Sequence, residues 1–173
     1  IEAALADPAV RGVILEIDSP GGEAAGMFDA ADQIAAAVAA SGKPLWAVAS
    51  YLAASAAYAL ATPARRIYVP ATGEVGSIGI VAAHIDESAA DAMAGRKWTL
   101  IHAGERKVDG NPHEPLSSRA AGDIQADVDA LYEQFVEMVA ARRAMTPDEV
   151  RTIAAELDVN EQVMASIGDR MRE

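Results

Sequence analysis

Short apolar runs alternating with alanine-rich helical stretches constrain this chain more than any other feature of its sequence. Gly12-Val-Ile-Leu-Glu-Ile17 is an apolar run of strand length, broken by Ser19-Pro20-Gly21-Gly22. Met27, Ala30, Ile34 and Val38 then recur at helical spacing until Ser41-Gly42 closes that helix. Lys43-Pro44 leads into a second run, Leu45 to Ala49, and a third, Ile67-Tyr-Val69, follows Pro63 after room for another helix. Strands alternating with helices on this scale predict an α/β fold of repeated βαβ units around a mostly parallel sheet.

The pattern continues less regularly. Ala3 to Leu5 ends a short helix before Asp7-Pro8. Ile78 to Ala83 and Trp98 to Ala103 read as further strands, with a polar alanine-rich helix around Ser88 to Ala94 between them. Gly104 to Pro115 is a polar loop long enough to be either functional or disordered. Ser117 or Ser118 caps the clearest helix, lined on one side by Ile124, Val128, Leu131, Phe135 and Met138. Thr146-Pro147-Asp148-Glu149 carries the N-cap, first-turn proline and capping-box glutamate of another helix. The 173 residues are expected to form one domain, which at this size buries about two thirds of its unfolded surface.

Composition removes several kinds of chemistry. With no cysteine there is no thiol nucleophile, Cys-based zinc site or disulfide scaffold. A net charge of −12 argues against a nucleic-acid binder, which needs a basic face to neutralise phosphates. No His-x-x-x-His pair or Asp-rich loop suggests a metal, and no cofactor is expected. Leu45 to Ala64 is uncharged over the length of a membrane span, but its alanines, Ser50, Ser55, Thr62 and Pro63 fit a buried strand and helix better. The chain opens on Ile1 without a basic signal sequence, which suggests a processed or partial protein.

Lys43, Lys97 and Lys107 with His84, His102 and His113 are the only nitrogen bases that could titrate usefully, since Arg stays protonated. Ser55, in Ala53-Ala54-Ser55-Ala56-Ala57 just after a buried strand, can be read as a helix N-cap or as a nucleophile among neighbours small enough to admit a substrate backbone. The Gly21-Gly22 amides, at the carboxyl end of a strand, could stabilise an oxyanion. Lys43 and Lys97 read as solvated surface charges, His102 as a hydrogen-bonded core residue, and His113, between Pro112 and Pro115, as exposed. His84 with Asp86 leaves a Ser-His-Asp arrangement open, and Lys107 in the long loop reads on its own as solvent-facing.

Four ordered motifs resemble the signal peptide peptidase A family of serine peptidases, which share the crotonase-like fold of the Clp protease subunit. They are Ile17-Asp-Ser-Pro-Gly-Gly22, Ala53-Ala-Ser-Ala-Ala-Tyr58, Gly76-Ser-Ile-Gly79 and Gly104-Glu-Arg-Lys107. Ala83-His-Ile-Asp86, Leu100-Ile-His-Ala-Gly104 and Lys107-Val-Asp-Gly-Asn-Pro112 are most similar to its phage branch, the head-maturation (prohead) proteases. The similarity runs from about residue 9 to about 151, and 152–173 keep only a faint echo of the family's usual end. By that resemblance one or two strands would precede Ile1 and are missing here.

The resemblance implies a Ser/Lys dyad, with Ser55 as nucleophile, Lys107 as general base and Ser77 holding the lysine. It implies an oxyanion hole from the N–H groups of Gly22 and Ala56, with Gly21, Ala54 and Gly79 along the substrate groove. The expected activity is endopeptidase cleavage at small or apolar residues, with capsid or scaffold proteins as substrates in the bacterial cytoplasm or the prohead. A homo-oligomeric ring with composite sites is implied too, the lysine coming in some members from a neighbouring subunit. The family's nucleophile motif is commonly Ser-Gly-Gly, and here it is Ser55-Ala56-Ala57. Alternatives left open are a membrane-anchored cellular signal peptide peptidase, a Ser55-His84-Asp86 triad, a crotonase-fold acyl-CoA enzyme and an inactive structural homologue.

Overall fold

The computed structural model describes residues 1–156. They separate into two compact units, one of Ile1–Ile80 with the chain from Tyr132 onward, the other of Val81–Leu131. The first unit holds the sheet: β1 (Val13–Ser19), β2 (Leu45–Ala54), β3 (Arg66–Tyr68) and β4 (Glu74–Gly76). β2 is central. β1 runs along one edge, while β3 and β4 lie end to end along the other, and every pairing is parallel. The expected α/β architecture with a parallel sheet is therefore the one observed.

Local sequence accounts for these elements. β1 alternates between half-buried Val13, Leu15 and Ile17 and exposed Ile14, Glu16 and Asp18, the two-residue period of a strand with one covered face. Helix α2 (Met27–Ser41) stops at Gly42, whose φ of 65° is a left-handed cap conformation, and its N–H donates to the Val38 carbonyl at 3.2 Å. The chain re-enters the sheet at once, with Val13 N–H donating to the Pro44 carbonyl at 2.9 Å. Between Ile17↔Ala49 and Ser19↔Ala53 the register slips, so that β2 runs past the end of β1.

Alanine lets these layers approach closely. Ala47, Ala49 and Ala53 of β2 and Ala57, Tyr58, Ala59 and Ala61 of α3 (Ala56–Ala61) are buried. Phe135, Val136 and Val139 of α5 (Ser118–Arg143) and Val150 of α6 (Pro147–Glu156) complete that core. Phe28 meets Phe135 edge to face, with ring centroids 6.2 Å apart and planes at 77°. At the end of α5, Arg142 donates to Thr62 Oγ1 at 2.9 Å and pairs with Asp32, while Arg143 donates to the Ala64 carbonyl at 2.9 Å. The capping box starting α6 is present, with Glu149 N–H donating to Thr146 Oγ1 at 3.2 Å and Thr146 N–H to Glu149 Oε2 at 2.8 Å. Ser117, of the two serines proposed, caps α5 by accepting from Ala120 N–H at 3.1 Å.

Two expected strands are not formed. Neither Ile78–Ala83 nor Trp98–Ala103 pairs with another strand among the described residues, and the second unit holds only α4 (Ser88–Met93), the first part of α5 and ordered turns. Apolar runs favour extension, but a strand also needs a neighbour for its backbone groups. Val81 is 90% exposed and Ile101 96% exposed. Conversely, β4 is only three residues long and carries no pattern of its own. Lys43 also departs from expectation: its Nζ donates to the carbonyls of Leu5 and Asp7, each at 2.7 Å, at the end of α1 (Glu2–Ala6). A cation there complements the carbonyl end of the helix.

No described helix is long and apolar enough to cross a membrane. Phe135→Ala is expected to cost about 3–5 kcal/mol, read as a lowered midpoint in urea, because a fully buried ring leaves a cavity. Burial pushes the Tyr58 phenol up to about 12, with the Arg143 charge opposing it. Its neutral form is therefore favoured by folding: the stabilisation is complete below an unfolded value of about 10 and is lost as pH rises towards 12. Denaturation midpoints between pH 9 and 12 are expected to fall less steeply in Tyr58→Phe than in the wild type.

Candidate active site

Three strand ends converge at Ser55. It follows the last residue of β2 and precedes α3, with the end of β1 on one side and the end of β4 on the other. Its N–H donates to the Gly76 carbonyl at 2.7 Å, extending the β2–β4 ladder by one residue. Its backbone turns sharply, with φ 52° and ψ −123°, a conformation that strains any residue with a Cβ. The hydroxyl makes no capping bond to the amides of α3. That separates the two readings of this serine: it stands at a helix start without doing the work of a cap.

Gly21 explains how the strand ends come so close. Its φ is 116°, and a Cβ placed on it would lie 2.7 Å from Ser55 Cβ, 3.0 Å from the Ala54 carbonyl oxygen and 3.2 Å from Ala56 N. Only hydrogen fits there. Ser19 fixes the turn, its Oγ accepting from Gly21 N–H at 3.2 Å. Gly22, the next residue, has nothing within 4 Å of the Cβ position, and neither has Gly79. Gly76 (φ 114°) and Ser77 (φ 51°) form a second tight turn across from Gly21, and Ser77 is exposed.

The shelf is open. Ser55 is half-buried, Ala54 and Ala56 are buried, and Ser55 lines neither of two cavities found in this unit. A cavity of about 610 Å³ lies instead around Val38, Thr62, Arg65, Arg142 and Arg143. What Ser55 presents is a hydroxyl on a strained turn beside amides of a glycine loop and a helix start. That geometry suits an attack on a carbonyl that lies across the strand ends.

The other candidates fall in the second unit. Lys107 is exposed, on a turn closed by its own N–H donating to the Gly104 carbonyl at 3.2 Å. Asp86 accepts from the Ser88 hydroxyl and, at 2.9 Å, from Ser88 N–H, and these bonds hold its carboxyl below the usual carboxylate range. His84 Nε2 lies 3.1 Å from the Asn111 carbonyl, and no hydrogen bond joins it to Asp86 among the described residues. A triad in which Asp86 orients His84 is thus not formed. His102 is exposed, its Nδ1 3.0 Å from the Gly104 carbonyl, because the strand that would have buried it is absent. His113, expected in solvent, is largely covered: its ring stacks on Trp98 and its Nδ1 lies 2.7 Å from Asp91 Oδ2. Sequence reasoning missed Asp91, because an aspartate in a short alanine-rich helix looks like a solvated one. No cluster of potential metal ligands occurs among the described residues.

A strained serine on the strand ends of a parallel α/β sheet fits a hydrolase, and comparison with known proteins narrows the class. The chain belongs to peptidase family S49, whose family model matches residues 37–163. Its α/β fold is that of the Clp protease and crotonase group to which this family belongs. The head-tail preconnector protein GP5 of Enterobacteria phage P21 is 40% identical over 172 residues, covering 99% of this chain and 34% of the phage protein. The capsid assembly protease C of Escherichia phage lambda is 37% identical over 172 residues, covering 99% of this chain and 39% of that protein. Protease 4 of Salmonella typhi is 28% identical over 167 residues, covering 89% of this chain and 25% of the enzyme. This chain therefore spans well under half the length of these relatives.

Gly21→Ala is expected to lose stability by about 1–3 kcal/mol, since the methyl must displace Ser55 or the Ala54 carbonyl. Gly22→Ala, with open space around it, is expected to stay within about 0.5 kcal/mol of wild type. Thermal denaturation of the two variants side by side checks the contrast.

Proposed function

We propose that the chain is a serine endopeptidase in which Ser55 is the nucleophile and Lys107 the general base, and that it processes capsid or scaffold proteins during phage or prophage head maturation. The observation that carries the reading is the backbone of Ser55, strained at φ 52° and pinned between Gly21 and Gly76, with a hydroxyl that caps nothing. The similarity to the phage proteins, one of them named a capsid assembly protease, supports the biological role. In this reading the chain is a single peptidase domain.

In this mechanism neutral Lys107 Nζ takes the proton from Ser55 Oγ as the oxygen attacks the scissile carbonyl carbon. The N–H groups of Gly22 and Ala56 receive the oxyanion, and the amide of Ser55 takes no part because Gly76 already occupies it. As the tetrahedral intermediate collapses, Lys107 returns the proton to the leaving amine. Water then hydrolyses the acyl-serine by the same path. Ser77 holds the lysine by a hydrogen bond. Gly21, Ala54 and Gly79 leave room for an extended peptide.

A lysine serves as a base only when its pKa falls well below its usual value of about 10.4, and burial does that. Lys107 is exposed in the single chain. Packing of further copies into a homo-oligomer, with composite sites, supplies the burial in this reading. The location is the bacterial cytoplasm or the prohead, with no nucleic-acid partner and no cofactor.

Ser55→Ala and Lys107→Ala are each expected to reduce cleavage of an unfolded protein such as casein by about 10³-fold or more, with the double variant no slower than either. Both should keep the wild-type oligomeric state in analytical ultracentrifugation. Full activity in Lys107→Ala sinks the dyad, and full activity in Ser55→Ala sinks the peptidase reading as a whole.

A further inference from the structure

The loop from Gly104 to Pro115 has the length and polarity of a disordered segment, yet it is built as a series of tight turns. Asp109 N–H donates to the Arg106 carbonyl and Asn111 N–H to the Val108 carbonyl, each at 3.2 Å, and the Asn111 side chain ties Val108 to His113 N–H. Upstream, Arg106 pairs with Asp123, and Asp109 accepts from Arg119 at 3.0 Å, so α5 holds that part. Downstream, Glu87 N–H donates to the Pro112 carbonyl at 2.7 Å, at the start of α4.

At this downstream end sits Asp91, the only buried carboxylate among the described residues, 4% exposed. Its two oxygens are shared by His113 at 2.7 Å and Arg96 at 2.9 Å, and the Trp98 indole N–H also donates to it. The Trp98 ring lies flat on the imidazole, centroids 3.9 Å apart and planes at 14°. Desolvation pushes the Asp91 carboxyl up, and the bonds from His113 and Arg96 outweigh it, holding the group below its ordinary value. A buried carboxylate held by partners that are themselves only partly covered adds little net stability compared with an apolar contact, but it accepts one geometry only. Glu114 is the other charged neighbour of the imidazole along the chain, and it is exposed.

We propose that His113 is a positioning residue for Lys107: clamped between the Asp91 carboxylate and the Trp98 ring, it fixes the downstream end of the loop whose middle carries the lysine. The proposal rests on the reading of Lys107 as the general base. Lys107 lies six residues upstream of His113 along a segment with a turn bond every two residues or so. A shift at the clamp is therefore passed to the lysine instead of being absorbed by slack chain. Displacing a base by about an ångström costs up to about 100-fold in rate without altering how substrate binds.

The test measures kcat and KM of the full chain on fluorogenic casein for His113→Ala, Asp91→Asn and His113→Asn, with Lys107→Ala alongside. His113→Ala and Asp91→Asn are expected to lower kcat about 10–100-fold with KM unchanged. His113→Asn places an amide N–H where Nδ1 stood, keeps the bond to Asp91, and is expected to recover kcat to within a few-fold of wild type. If Lys107→Ala is inert while folded His113→Ala turns over at the wild-type rate, the positioning role fails and the dyad stands. If Lys107→Ala is fully active, the dyad fails and this role with it. Should His113→Ala fail to fold, an unrecovered kcat in His113→Asn overturns the proposal by itself.

Discussion

Gly21 and Ser55 pass so near each other that no side-chain atom fits between them, and the whole first unit is arranged around that approach. A methyl at residue 21 would stand 2.7 Å from the serine Cβ. For β1 to reach this point beside β2, the register must slip by the time Ser19 pairs with Ala53. For Ser55 to turn out of the sheet there, its amide must be held by Gly76 at the end of β4, and its backbone must accept a strained conformation. The buried alanines on both sides of the serine follow from the same crowding. Strain of this kind costs of order 1–3 kcal/mol and persists only where the surroundings over-determine it.

Much of this was legible before any coordinates. The βαβ rhythm, the break at Ser19 to Gly22, the helix stop at Gly42 and the caps at Ser117 and Thr146 all rest on local chemistry, whereas Ser55 was singled out through the family motifs, its own neighbourhood reading equally as a helix start. Turn residues, apolar period and side-chain caps act over a few residues, so the sequence displays them directly. The errors share one cause. Ile78 to Ala83 and Trp98 to Ala103 are apolar enough for strands, but a strand is a relation between two segments, and sequence shows one at a time. β4 escaped notice for the converse reason: three residues become a strand because β2 is there to pair with them.

The charged residues tell the same story at longer range. Lys43 looked solvated because nothing near it in sequence needs a cation; the carbonyls it serves are those of Leu5 and Asp7, 36 or more positions away. His113 and Asp91 are 22 residues apart and each is unremarkable alone. Together they form a part-buried pair under an aromatic ring. This pair emerges only from three-dimensional placement.

Gly21 and Gly22 are adjacent, yet they stand in opposite situations. One is closed in by Ser55 Cβ and the backbone of Ala54 and Ala56; the other faces empty space. Residue 21 is therefore a fixed point for any redesign of this scaffold. Residue 22 is an address at which a side chain can be added without crowding the serine beside it. Two consecutive glycines thus divide between them what the fold forbids and what it leaves to be chosen.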